Sequence, residues 1–347
     1  MSDSAIQTQE DSYRPWLYRW TLLVLGLVWP LVWVGSLVTT QDAGMSVPDW
    51  PNTYGDNLFL YPLETWLSGP FDLFIEHGHR LLGALVGFVA IIVVAVAFWT
   101  ERRRWVQGLA VLGLVLIIVQ GILGGMRVVL GDRLLAMTHG CTAPIVFALF
   151  TVLAVVTSRW WSQIRSGPSE VDSPTKTEGS ASGSDGARSS LKVVRGGWLA
   201  SVVVIACYFQ LVLGAMLRHV SMEATPGGFT HTVAMHVLLA FVIWGLTAIL
   251  WLRLRGCGEK TLSRPGGALV GLVAVQIALG LTTWVVHYGF PMFQDYGFPA
   301  RYLVQAKSFW GSFVICGHVA TGSLILATAV LLTTRTFRIK HLRRTSS

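Results

Sequence analysis

Eight apolar runs, each close to the ~20 residues that cross a bilayer as a helix, limit this chain to a narrow set of folds. They cover about 17–39, 80–100, 106–128, 136–158, 197–218, 230–252, 266–287 and 309–333. Hydrocarbon offers no water to backbone N–H and C=O groups, so such runs fold as helices whose hydrogen bonds close internally. A transmembrane barrel needs ten-residue segments of alternating polarity, and the sequence has none. Charged residues make up only 13% of the 347, too few to coat a soluble protein of this size. The chain therefore reads as an all-α integral membrane protein.

The runs fall into two sets of four. Residues 166–190 are rich in Ser, Gly and charge and read as a flexible linker between an N-terminal half, 1–165, and a C-terminal half, 191–347. Internal similarity points to duplication. Gln120-x-x-Leu123-Gly124 recurs as Gln276-x-x-Leu279-Gly280, and His79 and His139 recur as His236 and His318. The wider spacing of the last pair needs a longer loop, which residues 288–308 supply. Four helices per half keep the repeats in one orientation, so the expected form is two pseudo-symmetric four-helix bundles about an axis along the membrane normal.

Positive charge sets the expected orientation. The tails and the 2–3, 4–5 and 6–7 connections carry 20 of the 26 lysines and arginines, which places that face and both termini in the cytoplasm. The expectation is a multi-pass protein of the cell membrane, in contact with lipid. The net charge of +8 reflects this bias, and no nucleic-acid partner is inferred. The first run is too long and too far from the start to read as a cleavable signal. Cys141, Cys207 and Cys316 lie within runs and Cys257 in a cytoplasmic connection, so no external disulfide framework is expected. The largest external segment is about 40–78.

Four histidines stand near the starts of the even-numbered runs. His79 and His236 share His-x-Leu-Leu-small, and His139 and His318 share His-x-x-Thr-small. Two imidazoles at one height on parallel helices suit the axial positions of a haem iron. A single intramembrane histidine is commonly polar glue bonded to a neighbouring carbonyl, but that account does not predict the doubling. His77, His219, His231, His287 and His341 lack repeat partners, although His77 competes with His79 as the ligand. Glu76 precedes His79 by three residues and shares its helical face; its counterpart before His236 is Val233. Two readings stand for Glu76: a functional acid, or a carboxylate stabilised by the helix dipole. Arg80, Arg127 and Arg218 read either as partners of haem propionates or as side chains snorkelling to headgroups. Cys141 and Cys316, each two residues from a histidine of the set, read as small buried hydrophobes.

Thr40-x-x-Ala43-Gly44-Met45-Ser46-x-Pro48-Asp49-Trp50-Pro51 after the first run, Glu76-x-x-His79-Arg80 at the second, and the histidines of the fourth, sixth and eighth resemble the haem A synthase family along all eight helices. The resemblance implies an oxidoreductase that converts a ring methyl of haem O to the formyl group of haem A for cytochrome oxidase. It implies a haem b held by His236 and His318, and a substrate site for haem O formed by His79 and His139 with Glu76 as catalytic residue. Haem O synthase and an electron-transfer protein become candidate partners. Some family members carry a cysteine pair in the first external loop; this chain has none. The competing reading is a di-haem b membrane cytochrome that only transfers electrons, which leaves Glu76 and the long external loop without a purpose.

Overall fold

The computed structural model describes residues 13–164, 182–220, 223–288 and 308–345. Eight of its helices are long and apolar enough to cross a membrane, which makes this a multi-pass membrane protein. In chain order the helices are α1 Pro15–Thr40, α2 Leu63–Ser68, α3 Phe71–Thr100, α4 Arg104–Leu130, α5 Arg133–Thr157, α6 Arg159–Gln163, α7 Ser182–Arg218, α8 Pro226–Arg255, α9 Lys260–Tyr288 and α10 Phe309–Thr345. Among the described residues there is no β-strand, only an isolated bridge between Thr53 and Asp56.

Local chemistry sets several of the ends. Pro15 and Pro226 open α1 and α8, where a missing N–H costs nothing. Asp132 caps α5, its carboxylate accepting from the Leu135 N–H at 2.9 Å. The Thr225 hydroxyl caps α8 by accepting from the Gly228 N–H at 3.1 Å. Gly131, at φ 61°, ends α4 in a conformation that glycine adopts without strain.

Two boundaries differ from the hydropathy pattern. The second spanning helix begins at Phe71 rather than near 80. The polar stretch Glu76–Arg80 interrupts the apolar run, yet it is helical because its polar groups are bonded within the protein. His79, His139, His236 and His318 lie eight, six, ten and nine residues past the first residues of α3, α5, α8 and α10, roughly one and a half to three turns, deeper than positions near the starts of the apolar runs. The fifth helix begins at Ser182, so the C-terminal part of the expected linker is helical. Residues 165–181 and 289–307, which hold the rest of that linker and most of the expected 288–308 loop, lie outside the described residues.

Packing forms two closed rings of four. Neighbours around the first are α1, α3, α4 and α5, and around the second α7, α8, α9 and α10. The rings meet where α10 packs on α1 and α5 and where α5 touches α7. The central pair α5 and α10 bury 56% of their most apolar stretches, against 11–28% for the other six spans. Each ring has its own core, with Val24, Val86, Val93 and Phe150 in the first and Leu199, Leu250, Leu269 and Leu332 in the second. Both cores lie toward the face that carries the termini. There Phe150 lies so close to Gly113 that an added Cβ would stand 2.8 Å from its ring. Lipid tails are as apolar as leucine, so this interdigitation, rather than exclusion of water, holds the bundle. The arrangement is compatible with a duplicated bundle.

Candidate functional site

Opposite the two cores, toward the other face, each ring turns polar. In each case a histidine lies on a glycine of the preceding spanning helix. An added Cβ would stand 2.8 Å from His79 Cε1 at Gly35, 3.2 Å from His139 Cε1 at Gly124, 3.2 Å from His236 Cε1 at Gly214 and 3.0 Å from His318 Cε1 at Gly280. A side chain at Gly35 would force the His79 imidazole aside, and at the other three the ring would have to give by a few tenths of an ångström. Gly124 and Gly280 belong to the repeated Gln-x-x-Leu-Gly motif, but its spacing gave no hint that the glycine seats a ring. Gly35 and Gly214 carried a usable signal, since their separation equals that of His139 and His318.

The four rings share a second property. Nδ1 of each is buried without a hydrogen-bond partner, as is Oε1 of Gln120, Gln210 and Gln276 beside them. Buried polar atoms are seldom left unpaired, so their clustering at one level in both halves marks a place for a polar or metal-bearing ligand. The amides reach the histidines and their neighbours: Gln210 Nε2 donates to the His236 carbonyl at 2.8 Å. Gln276 Nε2 lies 3.4 Å from His318 Nε2, and Gln120 Nε2 donates to Thr142 Oγ1. In the second half the His236 and His318 ring centres are 6.3 Å apart at 62°. Two imidazole nitrogens that bind one metal ion at about 2 Å each put their ring centres roughly 6 Å apart. His79 and His139, on α3 and α5, occupy the corresponding diagonal of the first ring.

His77 belongs to a different environment. It is buried, with Nδ1 3.0 Å from Thr53 Oγ1, and its ring packs between Tyr61 and Trp66. Both aromatics and Thr53 come from the segment between α1 and α3, so His77 serves that segment while His79, on the opposite side of the helix, faces the ring interior.

Glu76 and Arg80 hold the same segment. Glu76 Oε2 accepts from Ser46 Oγ at 2.8 Å and from the Val47 N–H at 2.9 Å, and Oε1 is paired with Arg80 Nη2 at 2.9 Å. Arg80 Nη1 donates to the carbonyls of Asp49 and Asn52 at 2.7 and 2.9 Å, and Nη2 donates to that of Val47 at 2.8 Å. Trp50 lies directly on Gly125, one residue from the seat of His139, and Arg127 lies against Gly44. The segment is thus a lid over the first ring, pinned by Glu76, His77 and Arg80. The second ring has Val233, Ala234 and Val237 at the matching positions of α8. The asymmetry visible at Glu76 is part of a three-residue docking face.

Asp49 organises the tip of the lid. Its carboxylate accepts from the N–H groups of Tyr54 and Gly55, both at 2.8 Å. Burial raises the pKa of Asp49, but the bonds from Gly55 and Tyr54 and the Arg80 charge outweigh it and hold the carboxyl below its ordinary value. The stabilisation is therefore present above the unfolded pKa of about 3.9 and is lost only as pH falls through the lower folded value. Amide hydrogen exchange at Tyr54 and Gly55, corrected for intrinsic rates, should stay protected from neutral pH down to about pH 4. Protection lost already near pH 6 would contradict this account.

Arg218, at the end of α7, sends Nη2 across to α1, donating to the Ser36 carbonyl at 2.6 Å and to Thr40 Oγ1 at 2.7 Å. Arg133 Nη1 donates to the Val220 carbonyl at 3.1 Å. His219, just beyond α7, is held down at about pKa 4 by burial and by the charges of Arg218, Arg127 and Arg133, so this end of the interface between the rings is strongly cationic. Cys316 is buried and Cys141 half-buried.

Comparison with known proteins agrees with this architecture. A haem A synthase of Methylobacterium sp. (strain 4-46) is 28% identical over 310 residues, covering 76% of this chain and 82% of that protein. One of Beijerinckia indica is 26% identical over 330 residues, covering 78% and 84%. One of Halalkalibacterium halodurans is 31% identical over 144 residues, covering 40% and 44%. Residues 18–294 match the COX15-CtaA family model, described as cytochrome oxidase assembly protein, a span that takes in seven of the eight spanning helices and three of the four seated histidines. The chain belongs to the COX15-CtaA family of cytochrome oxidase assembly proteins.

Proposed function

We propose that this protein is a haem A synthase, which oxidises a ring methyl of haem O to the formyl group of haem A. The observation that carries the reading is the pairing of two similar histidine sites with a lid docked on Glu76, His77 and Arg80 of the first, where the second has Val233, Ala234 and Val237. Haem O occupies the lidded first half, 13–164, between His79 and His139. Haem b occupies the second half between His236 and His318. The protein lies in the cell membrane with both termini in the cytoplasm, since 20 of its 26 lysines and arginines flank that face; the histidine level then lies toward the outer leaflet.

The residues suit haem. Each seat offers an imidazole with no protein partner at Nδ1, diagonal to a second one, and the 6.3 Å ring spacing in the second half accommodates a single metal atom. Arg127, whose guanidinium lies against Gly44 of the lid, is the propionate partner at the first site. Arg80 spends both of its Nη groups on lid carbonyls and Glu76, and Arg218 spends Nη2 on α1; these bonds favour anchoring over propionate binding for both.

Conversion of a methyl to an aldehyde removes four electrons. Two two-electron oxidations, each adding a hydroxyl from water and releasing two electrons and two protons, pass through the alcohol to the aldehyde hydrate, which loses water. Haem b, when bound, supplies one-electron redox chemistry. The protein holds the reacting methyl away from bulk water beneath the lid, with His79 and His139 fixing the macrocycle. Glu76 stands three residues before His79 on the same helix; its carboxylate stabilises positive charge or takes a proton at the reacting carbon. Haem O synthase supplies the substrate, and an electron-transfer protein reoxidises the second half.

The test is haem extraction from membranes of a host that makes haem O but no haem A, with and without this chain. Formation of haem A or its alcohol precursor is the expected result. Bound haem b with haem O untouched, under adequate oxidant and reductant, would instead identify a di-haem electron-transfer cytochrome.

A further inference from the structure

Arg218 joins the two rings at the level where both histidine pairs are seated. Its Nη2 is bonded to the Ser36 carbonyl at 2.6 Å and to Thr40 Oγ1 at 2.7 Å, and the Thr40 hydroxyl itself donates to Ser36 O at 2.8 Å. Ser36 follows Gly35, the seat of His79. On its own helix Arg218 stands one turn beyond Gly214, the seat of His236. The third contact leads to the remaining ligand of the second half: Thr40 Oγ1 lies 3.9 Å from Cys316 Sγ, two residues before His318. Through the Thr40 hydroxyl, Arg218 thus stands one side chain away from Cys316 and the helix turn that carries His318. No carboxylate among the described residues is paired with it. An arginine that merely snorkelled would extend to the headgroups; this one bonds inward across the seam between the rings.

We propose that Arg218 is a positioning residue that couples the two sites, fixing their separation through Ser36 and Thr40 and holding a positive charge beside the His236–His318 pair. The proposal rests on the reading of that pair as a haem b site. Two consequences are separable. Reducing a ferric iron adds one electron and removes one unit of positive charge, so a nearby cation in a medium of low dielectric favours the reduced form and raises the potential. The two bonds set geometry, and a planar guanidinium that spans two acceptors is not reproduced by an ammonium group.

The experiment is a redox titration of the haem in the purified full chain, reduced with dithionite and reoxidised with ferricyanide, alongside haem A formation in membranes. It compares the unaltered protein with Arg218→Gln and Arg218→Lys. Arg218→Gln is expected to lower the midpoint potential and to cut haem A formation by about tenfold or more, the scale of a small misplacement between reacting centres. Arg218→Lys keeps the charge, and is expected to retain the potential while still losing haem A formation. A midpoint and a haem A yield unchanged in either variant, with haem b still bound, overturns the coupling role. Should Arg218→Gln fail to accumulate, the lysine variant decides alone: a normal yield overturns the proposal, and a reduced yield at normal potential supports it. Absence of any haem b from the unaltered protein would sink the haem assignment itself, which is a different result from a bound haem indifferent to Arg218.

Discussion

Glu76→Ala abolishes haem A formation, leaves haem O or the alcohol-level product to accumulate, and leaves the haem b spectrum of the second half in place. General acid–base assistance contributes about 10²–10⁴-fold, so product falls by at least about a hundredfold if the carboxylate acts at the reacting carbon. The same substitution also damages the lid. It strips Arg80 of its ion-pair partner and leaves the Val47 N–H without its acceptor. Loss of one member of a buried pair costs about 3–5 kcal/mol, and an orphaned buried donor costs about 1–3 kcal/mol.

Chemistry and anchoring are separated by two further variants. Arg80→Met removes four bonds to the lid and to Glu76 but keeps the carboxylate. Glu76→Gln keeps the shape and loses the charge. A direct chemical role predicts that Glu76→Gln is the more damaging of the two to haem A yield; a purely mechanical role predicts the reverse. Normal haem A from Glu76→Ala would remove this residue from the mechanism altogether.

Histidine substitutions divide by half. His236→Ala or His318→Ala is expected to reduce bound haem b from about one per chain to near zero, because the proposed site would keep only one of the two imidazoles that would hold the group. His79→Ala or His139→Ala leaves haem b and its reduced-minus-oxidised spectrum intact and stops conversion of haem O. Each variant is scored by pyridine haemochrome quantitation of purified protein and by haem extraction from membranes. Equal loss of haem b in both sets would show that the halves are not specialised as proposed.

How much of this could be read in advance depends on the range of the interaction. The repeat was legible because duplication leaves matched spacings, and His79, His139, His236 and His318 stood out against five unmatched histidines. The repeat favours His79 over His77, because only His79 aligns with His236 through the shared Leu-Leu pair, but the role of His77 is not legible. Two residues apart on a helix point to opposite sides, and only the packed lid shows that Thr53, Tyr61 and Trp66 claim His77. Glu76 was visible as an asymmetry, but its partners Ser46 and Val47 lie thirty and twenty-nine residues away. No helical period links them. The start of α3 was placed too late for a related reason: a window that averages hydropathy counts Glu76–Arg80 as polar, whereas the folded chain satisfies those groups with the lid.

Span number, helical class, the split into halves and the preferred face for positive charge follow from local composition and periodicity, because in hydrocarbon each helix must satisfy its own backbone. The glycine seats, the closure of each ring, the lid over one half and the Arg218 bridge between halves do not follow from any local pattern. They arise where helices far apart in the chain come within van der Waals and hydrogen-bonding distance. At that range a single Cβ decides whether an imidazole fits, and the neighbour across the gap decides which face of a helix does the work.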